Sequence, residues 1–133
     1  MRSLLLAAAL LAVNPAFSED RMMSARPRGF MGDGHAENHA NYQGLINKQR
    51  GSCCNGGDCR PTQARFNNST SRWEAMVDGV WQTIENSNLI LDDAWLQAQG
   101  RHRWDRQAHV CATARPPNGN ATVYCLLPPS SDQ

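Results

Sequence analysis

The sequence has little net charge, because its 13 lysine and arginine residues nearly balance its 12 aspartate and glutamate residues. A surplus of positive charge draws proteins to nucleic acid and to anionic membranes, so the composition favours neither partner. Lys48 is the sole lysine, and we interpret the preference for arginine as coding bias. After residue 13 no apolar run approaches the roughly 20 residues that cross a bilayer, so we expect no transmembrane segment.

Several enzyme motifs are missing as well. The sequence contains no glycine-rich phosphate loop, no serine nucleophile elbow and no internal repeat. Its nearest match to a His-Glu-x-x-His metal motif, the segment from His35 to His39, has the glutamate in the wrong place. It also has no Cys-x-x-Cys pair, the usual motif for thiol–disulfide exchange. We therefore predict a protein that is not an enzyme and has no catalytic residues.

The first 18 residues have the layout of a secretory signal peptide. Arg2 precedes an apolar run over residues 4–13, and Ala16 and Ser18 are small residues suited to a cleavage site after Ser18. We expect export to the periplasm or the medium. The remaining chain is predicted to comprise a flexible lead-in at 19–34, one domain at 35–128 and a tail at 129–133.

Five cysteines in an exported chain are expected to form disulfides. Three of them lie in "SCCNGGDCRP" at residues 52–61, which we predict to be a glycine-rich loop ending at Pro61. An odd number leaves one thiol free, blocked, bound to metal, or shared with a second chain in a disulfide-linked homodimer. The disulfide candidates are Cys53, Cys54, Cys59, Cys111 and Cys125.

The sequence leaves the disulfide pairing open. Cys53 and Cys54 are neighbours, and a bridge between them would need a strained ring, so each is expected to pair elsewhere. Cys111 and Cys125 flank a turn centred near Asn118, and they either face each other or reach back to the 53/54/59 cluster.

Two helices are predicted. The first spans residues 35–49, before Gly51, and it places four residues on one face at spacings of four, three and four: His35, His39, Tyr42 and Ile46. The second is short and lies in "LDDAWLQAQG", where Asp92 caps the first turn and Gly100 closes the helix.

Residues 72–84 predict a β-hairpin. Asp78 and Gly79 form a strong two-residue turn, because both residue types tolerate positive φ. Folding about this turn pairs Met76 with Trp81 on the outward face, which makes the two a candidate contact patch unless another loop or strand covers them. The opposite face is assigned to the core, and it carries Trp73, Ala75, Val77, Val80 and Ile84.

A second hairpin is predicted from strands at 109–113 and 121–127, joined by the turn-rich "ARPPNGN". The predicted fold class is therefore α+β. It is a small domain fastened by disulfides, with two β-hairpins, an N-terminal helix and one short capped helix.

Two chemical alternatives remain open. Histidines four apart on a helix present both rings to one point, so His35 and His39 with Cys53, Cys54 and Cys59 suit zinc or copper. Alternatively, His109 and Cys111 share a strand face, where a histidine activates a thiol for a thiol-dependent enzyme. Outside these alternatives we expect no cofactor.

The order of these motifs is also informative. "SCCNGGDCRPT", Trp73 with "DGVW", "AHVC" and "YCLLPP" follow one another over about residues 35–129. In this order they resemble an uncharacterised family of small exported, cysteine-containing proteins of Gram-negative bacteria. The resemblance implies a location outside the cytoplasm and no particular substrate, cofactor or active site. Our leading hypothesis is an exported, non-enzymatic module that binds a partner or supports the cell envelope.

Overall fold

The computed structural model describes residues 35–54 and 58–131 of the 133-residue chain. The predicted signal peptide, the lead-in at 19–34 and the last two residues of the tail lie outside these ranges. These ranges contain two helices and six strands, with a short 3-10 helix at Ser87–Leu89 between the fourth strand and the second helix. They are α1 His35–Tyr42, β1 Asp58–Thr62, β2 Ala64–Asn67, β3 Arg72–Val77, β4 Val80–Thr83, α2 Asp93–Ala98, β5 Ala108–Ala112 and β6 Val123–Leu127.

The strands form two antiparallel sheets, with orders β1-β5-β6 and β2-β3-β4. Two small sheets, short helices and two disulfides agree with the predicted α+β class. Each predicted hairpin gains a third strand. The added strand β1 takes up the end of the cysteine block that we predicted to be a loop, from Asp58 onwards, and it contains Pro61. Proline is tolerated there because β1 is an edge strand.

The β3–β4 hairpin has the predicted turn and register. Asp78 and Gly79 have φ angles of 49° and 80°, and Met76 lies opposite Trp81. The assignment of Val80 to the core is wrong, because its side chain is 39% exposed at the first position of an edge strand. The buried position of β4 is instead Gln82, whose amide donates to the Ala121 carbonyl and accepts from the Ala121 N–H at 2.7 and 3.0 Å.

Helix α1 is shorter than predicted, since it ends at Tyr42 and not at residue 49. Gly44 has a φ of +73°, a left-handed conformation that stops an α-helix and favours glycine. The predicted helical face is therefore divided. His35 and Tyr42 are buried and His39 is exposed. Ile46 lies beyond the helix, in an isolated bridge to Ser52.

Helix α2 has the predicted ends. The Asp92 side chain accepts a hydrogen bond of 2.8 Å from the Trp95 N–H, which makes Asp92 the N-cap. Gly100 follows the helix with a φ of +71°, and its N–H donates to the Gln97 carbonyl. Among residues 35–54 and 58–131, neither helix is long and apolar enough to cross a membrane.

Strand β5 separates two hydrophobic clusters. Val110 and Ala112 pack with Ala75, Val77 and residues nearby in one cluster. The alternate side chain, Cys111, belongs to the other cluster, which contains both disulfides and is completed by Tyr42, Leu45, Leu91, Leu96 and Leu127. Because both faces of β5 are covered, all five of its residues are buried. The disulfide sulfur atoms therefore lie in a core that packs against α1.

Candidate functional site

Two disulfides and one free thiol account for the five cysteines. The bridges join Cys53 to Cys125 and Cys59 to Cys111, across 72 and 52 residues of sequence, and Cys54 is the free cysteine. Although Cys111 and Cys125 are paired residues of β5 and β6, each is bonded to the N-terminal cluster. Of the two pairings that the sequence left open, the structure has the one that ties both C-terminal strands to the cluster.

The free thiol lies against one of the bridges. Cys54 is half-buried, and its Sγ is 3.2 Å from the Cys59 Sγ. Its S–H also lies 3.5 Å from the Tyr42 carbonyl oxygen. Burial raises the pKa of the Cys54 thiol, and the neighbouring Asp58 carboxylate raises it further. Cysteine nucleophiles usually have a lowered pKa, so this thiol is not activated in the way that a catalytic cysteine is.

The predicted pairing of His109 with a reactive Cys111 is wrong, because Cys111 is in a disulfide. His109 instead lies between two other side chains, with Nδ1 2.8 Å from the Tyr42 hydroxyl and Nε2 2.8 Å from Asp105 Oδ1. A carboxylate only accepts, so Nε2–H donates to Asp105, and Nδ1 of the neutral ring accepts from the Tyr42 hydroxyl.

This tyrosine–histidine–aspartate chain is part of the core. Burial lowers the pKa of His109, and the hydrogen bond to Asp105 opposes that shift. Tyr42 is fully buried and His109 is only 3% exposed, which leaves no room for a substrate at either group. The chain therefore fastens α1 to β5 and to the segment that contains Asp105. Three aligned polar groups of this kind resemble a catalytic relay, but the burial of Tyr42 and His109 favours a structural role.

The predicted metal ligands do not converge. Cys53 and Cys59 are in disulfides, so they supply no thiolates. The His35 Nδ1–H donates to the Cys59 carbonyl at 2.7 Å, and His39 is exposed. Across residues 35–54 and 58–131, no group of three or more His, Cys, Asp or Glu side chains is arranged to hold a metal ion. The zinc or copper hypothesis is therefore wrong as to its ligand set.

A second candidate site is an open groove of about 520 Å³ at the junction of the two sheets. The chain crosses from β1 to β2 here through Gln63, whose carbonyl accepts from the Met76 N–H. We call this site the Trp81 groove. It is lined by Thr62, Gln63, Ala64, Arg65, Trp81, Arg106, Gln107, Ala108 and Pro129.

Of the predicted contact patch, Trp81 lines this groove and Met76 does not. Met76 and Trp81 are both half-buried. The guanidinium of Arg65, on the unpredicted strand β2, lies 4.0 Å from the centre of the Trp81 ring. Its Nε donates to Glu74 at 2.7 Å, which holds the guanidinium in place. An arginine stacked on tryptophan gives a flat surface that is apolar and positively charged.

The groove has two arginines, and one of them, Arg65, is ion-paired with Glu74. Arg106 is exposed and makes no ion pair within the part of the chain that the structure describes. None of the lining residues just named is an aspartate or a glutamate. Sequence reasoning identified Trp81 from the hairpin pattern but missed Arg65 and Arg106. Neither arginine belongs to a motif, and only the tertiary fold brings them to the same groove.

Comparisons with protein-family models, with curated proteins and with solved structures found no match to this chain. The resemblance to exported cysteine-containing proteins therefore stays a prediction.

Proposed function

We propose that this protein is an exported binding module without catalytic activity, and that it holds a partner protein in the Trp81 groove. Export is supported by the signal-peptide pattern of residues 1–18 and by two disulfides, which are typical of proteins in oxidising compartments. A non-catalytic role is supported by the burial of the His109 network and by the raised pKa of the Cys54 thiol.

The observation that carries this proposal is the composition of the groove. Tryptophan and arginine are the residue types most enriched among the side chains that dominate protein–protein binding energy. Here one tryptophan and two arginines share one open groove, formed by residues from both sheets. Hydrogen bonds that Thr62 and Gln63 form with Met76 hold the two sheets together beside this surface, and a surface that is ordered before binding loses less entropy when a partner binds.

The partner is a protein segment with an acidic side chain. The guanidinium of Arg106 has no ion pair in the described residues, and a carboxylate accepts two parallel hydrogen bonds from such a group. A hydrogen bond to a charged group contributes about 1.5–3 kcal/mol. Apolar atoms next to the carboxylate would pack on the Trp81 ring and on Pro129.

Binding to synthetic peptides tests this proposal. We expect the protein to bind some members of an array of acidic peptides and to ignore matched peptides in which lysine replaces each acidic residue. Trp81→Ala and Arg106→Gln should each weaken the Kd of a selected peptide by at least about tenfold, measured by fluorescence anisotropy.

Two exposed residues outside the groove provide matched controls. Phe66→Ala removes an aromatic side chain and Arg50→Gln removes a guanidinium, and both should leave the Kd unchanged. Circular dichroism of each variant establishes that it is folded. Equal binding of acidic and basic peptides, or no binding below about 1 mM peptide, would contradict the proposal.

A further inference from the structure

We propose that Cys54, Cys59 and Cys111 form an internal thiol–disulfide exchange site, in which Cys54 takes Cys59 from Cys111. The proposal concerns chemistry that is separate from partner binding, because none of these residues lines the Trp81 groove. The product is an isomer of the same chain with a Cys54–Cys59 disulfide and a free thiol at Cys111.

The first argument is the distance between the reacting atoms. The Cys54 Sγ lies 3.2 Å from the Cys59 Sγ, within the range of about 3–3.5 Å that describes reactants placed for attack. The neighbouring bridge maintains this placement. Cys53 is bonded to Cys125 and its N–H donates to the Leu45 carbonyl, so the backbone next to Cys54 is anchored to β6 and to the segment after α1.

The exchange is balanced within the chain. Cys54 loses its thiol proton to water, and the electron pair of the thiolate forms a bond to the Cys59 Sγ. The Cys59–Cys111 bond breaks, its electron pair leaves on the Cys111 Sγ, and that sulfur takes a proton from water. One disulfide and one thiol exist before and after the step, so no oxidant or reductant is needed.

The two isomers differ in what the bridge connects. Cys59 and Cys111 are directly paired residues of β1 and β5, so the native bridge ties an edge strand to the centre of its sheet. It spans 52 residues of sequence, whereas a Cys54–Cys59 bridge joins cysteines separated by only four residues. Exchange therefore removes the covalent link between β1 and β5 and replaces it with a local loop.

Charged and titratable groups around Cys54 slow the exchange at neutral pH. Burial raises the pKa of the Cys54 thiol and Asp58 on β1 raises it further, which keeps the thiol protonated at neutral pH. His35 and Tyr42 on α1 lie nearby, because the His35 Nδ1 is 3.8 Å from Asp58 and the Tyr42 carbonyl contacts the Cys54 thiol. Raising the pH or removing the Asp58 charge should therefore speed the exchange.

Trapping the free thiol tests the proposal. The purified protein is incubated at about pH 7 or about pH 10, quenched in acid, denatured, alkylated with N-ethylmaleimide and digested for mass spectrometry. The alkyl label should lie on Cys54 at first and then appear on Cys111, faster at the higher pH. Asp58→Asn should increase the rate at neutral pH. In Cys54→Ala, which keeps both bridges, the label on Cys111 should be at least about tenfold lower.

A second variant tests whether the Cys54 and Cys59 sulfur atoms are close enough to bond when the native bridge is absent. Cys111→Ala leaves Cys59 without its native partner, and after air oxidation it should contain a Cys54–Cys59 disulfide and no free thiol. An unlabelled Cys111 at about pH 10 in the natural sequence overturns the proposal, and so do two free thiols in Cys111→Ala. Neither result tests whether the groove binds acidic peptides.

Discussion

Each disulfide should contribute about 3 kcal/mol to the free energy of unfolding, and the nesting of the two bridges sets that value. The Cys59–Cys111 bridge lies inside the loop that the Cys53–Cys125 bridge closes. Taken alone, separations of 72 and 52 residues correspond to about 4.4 and 4.1 kcal/mol of lost entropy in the unfolded chain.

Nesting lowers the contribution of each bridge when the other is present. When the inner bridge is closed, the outer bridge closes an effective loop of only 20 residues, which is the difference between 72 and 52. The outer bridge then adds about 3.3 kcal/mol to the free energy of unfolding. The total stabilisation is the same whichever bridge is closed first. The inner bridge therefore contributes about 3 kcal/mol to the free energy of unfolding when the outer bridge is intact. Together the two bridges contribute about 7 kcal/mol, slightly more than the sum of the two single losses.

These values are measurable by urea unfolding under non-reducing conditions, followed by the fluorescence of the four tryptophans. Cys54→Ala serves as the parent, because it removes the exchanging thiol while keeping both bridges. From this parent, Cys53→Ala/Cys125→Ala and Cys59→Ala/Cys111→Ala should each lose about 3 kcal/mol. A variant without either bridge should lose about 7 kcal/mol, a large part of the roughly 5–15 kcal/mol by which small domains are stable.

A loss below about 1 kcal/mol for either pair would refute the reasoning, and so would a folded, heat-resistant protein without bridges. In that case hydrophobic burial alone would stabilise the fold, and the cysteines would need another explanation.

Two further predictions concern single residues. Burial lowers the pKa of His109 below its ordinary 6.5, so the unfolded state binds more protons between the two pKa values. The Tm should therefore be highest above about pH 6.5 and fall as the pH decreases towards 5. His109→Gln should flatten this pH dependence of the Tm. An equally steep profile in that variant would contradict the prediction. Gly44 and Gly100 both have positive φ, but a Cβ at Gly44 meets the Arg101 guanidinium at 3.0 Å, whereas a Cβ at Gly100 meets nothing within 4 Å. In urea unfolding, Gly100→Ala should lower the free energy of unfolding by about 1 kcal/mol, and Gly44→Ala should lower it by more. Equal losses would show that the contact with Arg101 is unimportant.

Local signals in the sequence were sufficient for the elements that depend on neighbouring residues. Asp78-Gly79 determines both its turn and the register of β3 with β4, because a two-residue turn leaves no freedom in the pairing. Asp92 caps α2 for a similar reason, since a cap requires only the next three residues.

The missed features depend on residues that are distant in sequence. β1 contains a proline and lies beside glycines, so no strand pattern is visible until β5 pairs with it. Gln82 looks like a surface residue, yet it is buried because the Ala121 backbone satisfies both ends of its amide. The disulfide pairing likewise follows from which strands are neighbours, and five cysteines in a sequence do not specify that.

Strand β1 connects the two candidate sites, which leads to a last prediction. Cys59 lies near one end of this strand and Thr62, which lines the Trp81 groove, lies at the other end, about 10 Å away. The Thr62 Oγ1 donates to the Met76 carbonyl, so a shift of β1 displaces the strand that is paired with Trp81. Loss of the bridge between β1 and β5 should therefore weaken peptide binding.

Two variants separate the isomers for this measurement. Cys54→Ala can have only the native bridge to Cys111, and Cys111→Ala can have only the local bridge to Cys54. We expect the Kd of a selected acidic peptide to be severalfold higher for Cys111→Ala, because the entropy of a freed edge strand must be lost again on binding. Equal Kd values for the two variants would show that β1 does not transmit the state of the sulfur site to the groove. The exchange would then be a local rearrangement, and the two sites would act independently.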